Sequence, residues 1–209
     1  LLLTKFTFTF QSYPMNCSRT IMEGGIPWPP PESFSTDQVT VTDVPRDGNC
    51  LFYSLLRGDT KLKNVKILRK RLMHELAMMR HEECHDSSYT WEFLTMHAIE
   101  DRNKEAGNGW IHTTSFEEYI ADMLHATPYA ASTRWGGDHE ILLYTRIYLQ
   151  YVAVYHEVEG TYKRMFDYGF EGVTPRSTDN VHLLLLDCDH YKFLTLNTTN
   201  KKRKTNRNY

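Results

Sequence analysis

No apolar run in this chain approaches the roughly 20 residues that a bilayer-spanning helix needs, so none is expected. Cysteine is scarce. Cys17, Cys50, Cys84 and Cys188 are the four, widely scattered and without a C-x-x-C pair. That argues against a disulfide framework and for reduced thiols in the cytosol or nucleus. Leu1-Leu2-Leu3 is followed by Lys5, threonines and phenylalanines, which is not a secretory signal pattern. An initiating methionine is lacking too, which leaves a fragment or a processed product open. No internal repeat is present. Asn16-Cys17-Ser18 and Asn197-Thr198-Thr199 fit the glycosylation triplet, which has no meaning in the cytosol.

What is present suits one enzyme-sized domain. The 209 residues suffice for a single good core and are too few for two ordinary domains. The net charge of −2 is unevenly spread: Lys201, Lys202, Arg203, Lys204 and Arg207 crowd a terminus with no acid. The remainder carries 19 basic against 26 acidic residues, a balance suited to a partner with a basic tail, though an acidic surface also serves solubility alone. The basic run reads most plainly as a solvated tail, with nuclear import or a nucleic-acid contact as alternatives.

Three parts follow from composition: a Pro- and Gly-containing leader over 1–38, a body over 39–197 and a basic tail over 198–209. The leader holds Gly24-Gly25 and the run Pro27 to Pro31. In the body, Val65, Leu68, Leu72, Leu76 and Met79 recur at steps of three and four, predicting a helix from about Asn64 to His81. Further helices are expected over Trp91 to Asp101, over Ser115 to Ala126 and from about Asp138. Ser115 and Glu118 fit a capping box. Ile147 to Tyr155, Val181 to Leu186 and Tyr191 to Leu196 read as strands, the last two paired. The class is α+β, helices packed on a small, mainly antiparallel sheet.

One segment carries chemistry. Val39, Val41 and Val44 form a short strand that ends at Pro45-Arg46, and Asp47-Gly48-Asn49-Cys50-Leu51-Phe52 turns it into a helix. A cysteine there meets the unpaired N–H groups and positive dipole end of the helix, which favour a thiolate. The same N–H groups of the Asp47–Cys50 turn, with Gly48 and Asn49 at its centre, could hold an oxyanion. A buried, inert cysteine fits the local sequence equally well.

Two further segments decide between these: Trp135-Gly136-Gly137-Asp138-His139-Glu140-Ile141, and Asp189-His190-Tyr191 after an apolar strand. D-G-N-C-L-F, then W-G-G-x-x-E-I, then H-Y, spanning roughly Val39 to Leu196, resembles the ovarian-tumour (OTU) family of cysteine deubiquitinases. The resemblance implies a papain-like thiol protease that cleaves after the C-terminal glycine of ubiquitin and needs no cofactor. It implies Cys50 as nucleophile, His190 as general base and Asp47 as the acidic residue of the nucleophile motif. Ubiquitin, polyubiquitin or a ubiquitin-like modifier would be the partner, and the cytoplasm or nucleus the location. A ubiquitin-binding pseudoenzyme, or a viral or mobile-element polyprotein protease of the same fold, are the rival readings.

The residue that orients the base departs from the family pattern. Many members carry Asp or Asn two residues after the histidine, where this chain has Lys192. Residues two apart on a strand share a face, so Lys192 would bring like charge to the imidazolium. Asp47, Asp43 and Asp187 remain as candidates, Asp47 first; its alternative part is to hold the turn through backbone N–H groups. Asp189 should face the other way. Trp135, Gly136 and Gly137 are expected to shape a narrow substrate channel, and His139 to face solvent. His81, Cys84 and His85 have the spacing of zinc ligands on one helix face, yet no fourth ligand is obvious and no metal is expected.

Overall fold

A computed structural model describes residues 32–58, 64–84, 89–106, 113–125, 135–169, 181–187 and 190–197. The Gly- and Pro-containing run before Glu32, Cys17, His85, Cys188, Asp189 and the basic tail lie outside them. Strand β1 (Ser33–Ser35) and a 3-10 turn (Thr36–Gln38) precede β2 (Val39–Thr42). Five helices follow: α1 (Cys50–Gly58), α2 (Val65–Met78), α3 (Trp91–Ala106), α4 (Phe116–Leu124) and α5 (Asp138–Tyr148). Strands β3 (Val152–Val158), β4 (Thr161–Tyr168), β5 (Val181–Leu186) and β6 (His190–Leu196) complete the order.

The six strands form one sheet in the order β1-β4-β3-β5-β6-β2. Every pairing is antiparallel except β3 with β5, so the expected class holds. Alternation along β5 shows how the sheet is used. Val181 and Leu183 join the core under the helices with Phe52, Leu55, Leu68, Leu72, Leu76 and Tyr144. Leu184 faces the opposite side, in a second cluster with Phe34, Val39, Ala153, Tyr155, Tyr162 and Leu194. Helix α1 packs on β6 and β5, and α2 packs on α1, α4 and α5. Leu68, Leu72 and Leu76 are fully buried, each worth roughly 2 kcal/mol of transfer free energy.

Several elements differ from the sequence reading. The folded body begins before Val39, because Ser33–Ser35 pairs with β4. Helix α2 ends at Met78, with Met79 closing it through an N–H bond to the Glu75 carbonyl. His81 and Cys84 therefore do not share a helix face, and His81 lies 3.5 Å from Glu92. Among the described residues no three His, Cys, Asp or Glu side chains gather as a metal site. Ile147 and Tyr148, read as strand, finish α5; Leu149 then takes a left-handed conformation (φ 52°) and β3 starts at Val152. Aromatic and branched residues suit either state, and packing decides: Ile147 and Tyr148 both lean on the helical core. At α4, Ser115 Oγ accepts from the Glu118 N–H at 3.1 Å. Glu118 reaches back to the Thr114 N–H at 2.8 Å, and hydrogen bonds from Thr114 and the Ser115 N–H lower its pKa.

Candidate active site

Strand β2 and helix α1 are joined by a connection that begins at Asp43 and holds the turn. Gly48 sits at φ +81°, a region that costs an L side chain strain and glycine little. Tyr53 N–H bonds the Asn49 carbonyl at 2.9 Å, which makes Asn49 the cap and Cys50 the first helical residue. Cys50 is buried, and its Sγ accepts from the Tyr191 backbone N–H at 3.5 Å. The helix start and that N–H both favour negative charge on sulfur.

His190 opens β6, and the β5–β6 pairing seats it opposite Leu186. Its ring is buried, and Nε2 stands 3.5 Å from Asp43 Oδ1. Lys192 Nζ lies 3.2 Å from the same oxygen. The expectation that Lys192 shares a face with His190 is met, with an acid between them. The Lys192 ammonium, then His190, hold the exposed Asp43 carboxyl below its ordinary range. Nε2 is the ring nitrogen turned to Asp43, and Cys50 and His190 line one cleft. Among the described residues the cleft between them is lined by Arg46, Gly48, Cys50, Trp135 and His190. Its cavity has a volume of about 50 Å³.

Asp47 takes the alternative part open to it. Its Oδ1 accepts from the Asn49 N–H at 3.0 Å and its Oδ2 from the Tyr53 hydroxyl at 3.3 Å. Burial, and then the Asp47 charge, raise the Tyr53 pKa. The acid that meets His190 is Asp43, so Asp47 as the orienting residue is corrected. Asn49 is corrected as an oxyanion donor, because its amide is engaged by Asp47. Its buried side chain holds the turn from the other side, accepting from Arg69 Nε at 2.8 Å. Asp187 sits in the β5–β6 turn at φ 50°.

The Trp-Gly-Gly segment divides its labour. Trp135 walls the cleft and covers Gly48 so closely that a Cβ there would lie 2.7 Å from Nε1. Gly136 does not line the cleft; a Cβ on it would stand 2.7 Å from Leu51 Cδ2 and 2.8 Å from Phe52 Cε2. It lets the approach to α5 rest on α1. Gly137 caps α5, its N–H donating to Glu140 Oε2 at 2.7 Å. His139 is buried rather than solvent-facing, set edge-on to Trp91 and Tyr119 with Nε2 3.2 Å from Thr95 Oγ1. The start of α5 is inserted against α3 and α4, so its first turn is not a surface.

Among solved structures, the chain is similar to the OTU of Hazara virus bound to ubiquitin at 19% identity and a TM-score of 0.52. That match covers 80% of this chain and 87% of that one. The OTU domain protease of Dera Ghazi Khan virus matches at 20% identity and TM-score 0.52, over 79% and 86% of the two chains. That of Taggert virus matches at 16% and 0.51, over 79% and 85%. The fold is that of an OTU domain. Comparison with protein-family models and with curated protein sequences gives no match.

Within the OTU fold, two side chains at the site escaped the sequence reading. Arg46 lines the cleft beside Cys50. Arg69 is buried beneath the turn, and a signal for it existed: Val65, Arg69, Leu72 and Leu76 step by four, three and four. An arginine on an apolar stripe needs internal acceptors, and these are what the nucleophile turn provides.

Proposed function

We propose that this chain is a cysteine hydrolase that cleaves the bond after the C-terminal glycine of ubiquitin or a ubiquitin-like modifier. The observation that carries the reading is the meeting, in one narrow cleft, of Cys50 at a helix start and buried His190 backed by Asp43. The Hazara virus relative is bound to ubiquitin, which supports the choice of substrate. The close approach of Trp135 to Gly48 at the cleft wall suits a tail of small residues.

In this mechanism the imidazole of His190 takes the Cys50 proton, and Asp43 orients the resulting imidazolium. The thiolate attacks the scissile carbonyl carbon, and the amide of Cys50 at the start of α1 serves as an oxyanion donor. Collapse of the tetrahedral intermediate breaks the C–N bond as His190 protonates the departing amine. Water, deprotonated by His190, then attacks the thioester and releases the carboxylate and the thiol. A second reading, a ubiquitin-binding pseudoenzyme, is favoured by one feature: Lys192 draws on the carboxylate that His190 needs.

The deciding experiment is a ubiquitin probe with a C-terminal electrophile, run beside hydrolysis of diubiquitin. Covalent labelling that Cys50→Ala abolishes, together with turnover, is the expected result. Binding without labelling or turnover would leave the pseudoenzyme. Labelling that persists in Cys50→Ala and maps to Cys84 would remove Cys50 from the role.

A further inference from the structure

We infer that Arg69 is a positioning residue that holds the Gly48–Asn49 peptide in the one orientation acyl transfer can use. The inference rests on the hydrolase reading above and deepens it. Arg69 is 3% exposed, while Lys66 and Lys70 on the same helix face solvent. Its head reaches three acceptors at once. Nε donates to Asn49 Oδ1 at 2.8 Å, Nη2 to the Gly48 carbonyl at 3.2 Å and Nη1 to the Met123 carbonyl at 3.1 Å. The guanidinium carbon lies 4.0 Å from the centre of the Phe52 ring, two residues beyond Cys50. Met123 lies in the last turn of α4, where carbonyls left over from the helix favour a cation. Burying a guanidinium is costly unless its N–H groups find acceptors, and here two of the three acceptors belong to the nucleophile turn.

The Gly48 carbonyl and the Asn49 amide are the two ends of one peptide group. Arg69 grips the oxygen end, and Asp47 Oδ1 grips the N–H end at 3.0 Å. Gly48, at φ +81° and without a Cβ, is where that peptide would turn over most readily. Turned over, it would aim the Gly48 carbonyl oxygen at the Asp47 carboxylate, where the Asn49 N–H now points, and free the turn that fixes the Cys50 amide. An oxyanion donor assists only when it is held in place before the charge develops. A lysine could satisfy one of these acceptors but lacks the fork that spans Gly48 and Asn49 together.

The test compares the parent chain with Arg69→Lys and Arg69→Met. It reads kcat and KM on a fluorogenic ubiquitin C-terminal amide, the rate of Cys50 alkylation by iodoacetamide, and the urea midpoint. Alkylation displaces iodide by the thiolate and forms no oxyanion, so it reports the nucleophile without the turn's second task. The expected result is kcat lowered about tenfold or more in Arg69→Lys and further in Arg69→Met. KM and the alkylation rate should stay within about twofold of the parent's. Alkylation that falls in step with kcat and with the folded fraction would make Arg69 merely structural and overturn the inference. Should Arg69→Met fail to fold, Arg69→Lys decides alone, and a parent-like kcat in it overturns the inference. A parent chain that alkylates at Cys50 yet turns over no ubiquitin substrate overturns the hydrolase reading and this inference together. An active parent with an equally active Arg69→Lys overturns this inference only.

Discussion

Lys192 Nζ lies 3.2 Å from Asp43 Oδ1, the oxygen that His190 Nε2 approaches to 3.5 Å. One carboxylate thus serves two cations when the imidazole is protonated, and the lysine is the nearer of them. Asp43→Ala should lower kcat/KM by about tenfold to a hundredfold, because the imidazolium loses its orienting charge. Lys192→Met should release Asp43 to His190 and raise the alkaline limb of the pH–rate profile by up to about one unit, or ~1.4 kcal/mol. In the Asp43→Ala background the same change should do much less, and a double-mutant cycle on kcat/KM measures that coupling. Independent effects of the two changes would mean that the lysine acts on the site by another route.

Asp47 should behave differently from Asp43. Its carboxylate joins the Asn49 amide to the Tyr53 hydroxyl, both within the nucleophile turn and α1. Asp47→Ala leaves those two donors without their acceptor, at a cost of about 1–3 kcal/mol of folding stability. Urea unfolding should show that loss, and Tyr53→Phe should reproduce only the smaller part of it. The shape of the pH–rate profile should be unchanged in Asp47→Ala. A shift of its limbs comparable to that of Asp43→Ala would return Asp47 to the base.

How much was legible depended on the range over which each feature is fixed. The turn before Cys50 is set within a few residues, and its glycine and helix start could be read directly. The Leu68–Leu72–Leu76 face is set by one helical period, and β5 by an apolar run that only His182 interrupts. Asp43 is different: it meets a histidine 147 residues away. The contact exists because Thr42 pairs with Phe193, which brings Asp43, just past the end of β2, beside Lys192. Register of that kind is a property of the assembled sheet. Strand β1 has three residues and β4 carries Lys163, Arg164 and Asp167, so neither displays a clean period of two. His139 was misread because a helix's first turn is usually wet, and only the packing of α5 against α3 and α4 makes it dry.

Gly48 is constrained twice, by backbone angle and by neighbour. A side chain at φ +81° is strained, and its Cβ would meet the Trp135 indole at 2.7 and 2.8 Å. Gly48→Ala should therefore lower stability by about 1–3 kcal/mol and displace Trp135 from the cleft wall. Trp135→Ala in combination should recover the steric part but not the backbone part. Unfolding midpoints of the two single variants and the double variant separate these. Full additivity would show that the indole yields without cost.

His182 predicts how the fold responds to acid. It is almost wholly buried on β5, on the sheet face away from the helices, against the rings of Phe34 and Tyr155. Neither ring nitrogen has a hydrogen-bond partner among the described residues. Desolvation therefore disfavours the imidazolium and lowers its pKa from 6.5 to about 4. In the unfolded chain the ring takes up its proton near the ordinary value, so below that pH the unfolded state binds more protons than the folded one. Stability is then complete above about pH 6.5 and falls as the pH drops toward 4, by an amount on the order of 3 kcal/mol before local relaxation reduces it. Below the folded pKa this contribution levels off. His182→Phe keeps a ring against Phe34 and Tyr155 and removes the titration. The expected result is a variant whose urea midpoint exceeds the parent's at pH 5 by more than it does at pH 7.5. A difference between variant and parent that is the same at both pH values would show that His182 is protonated equally in the folded and unfolded chain.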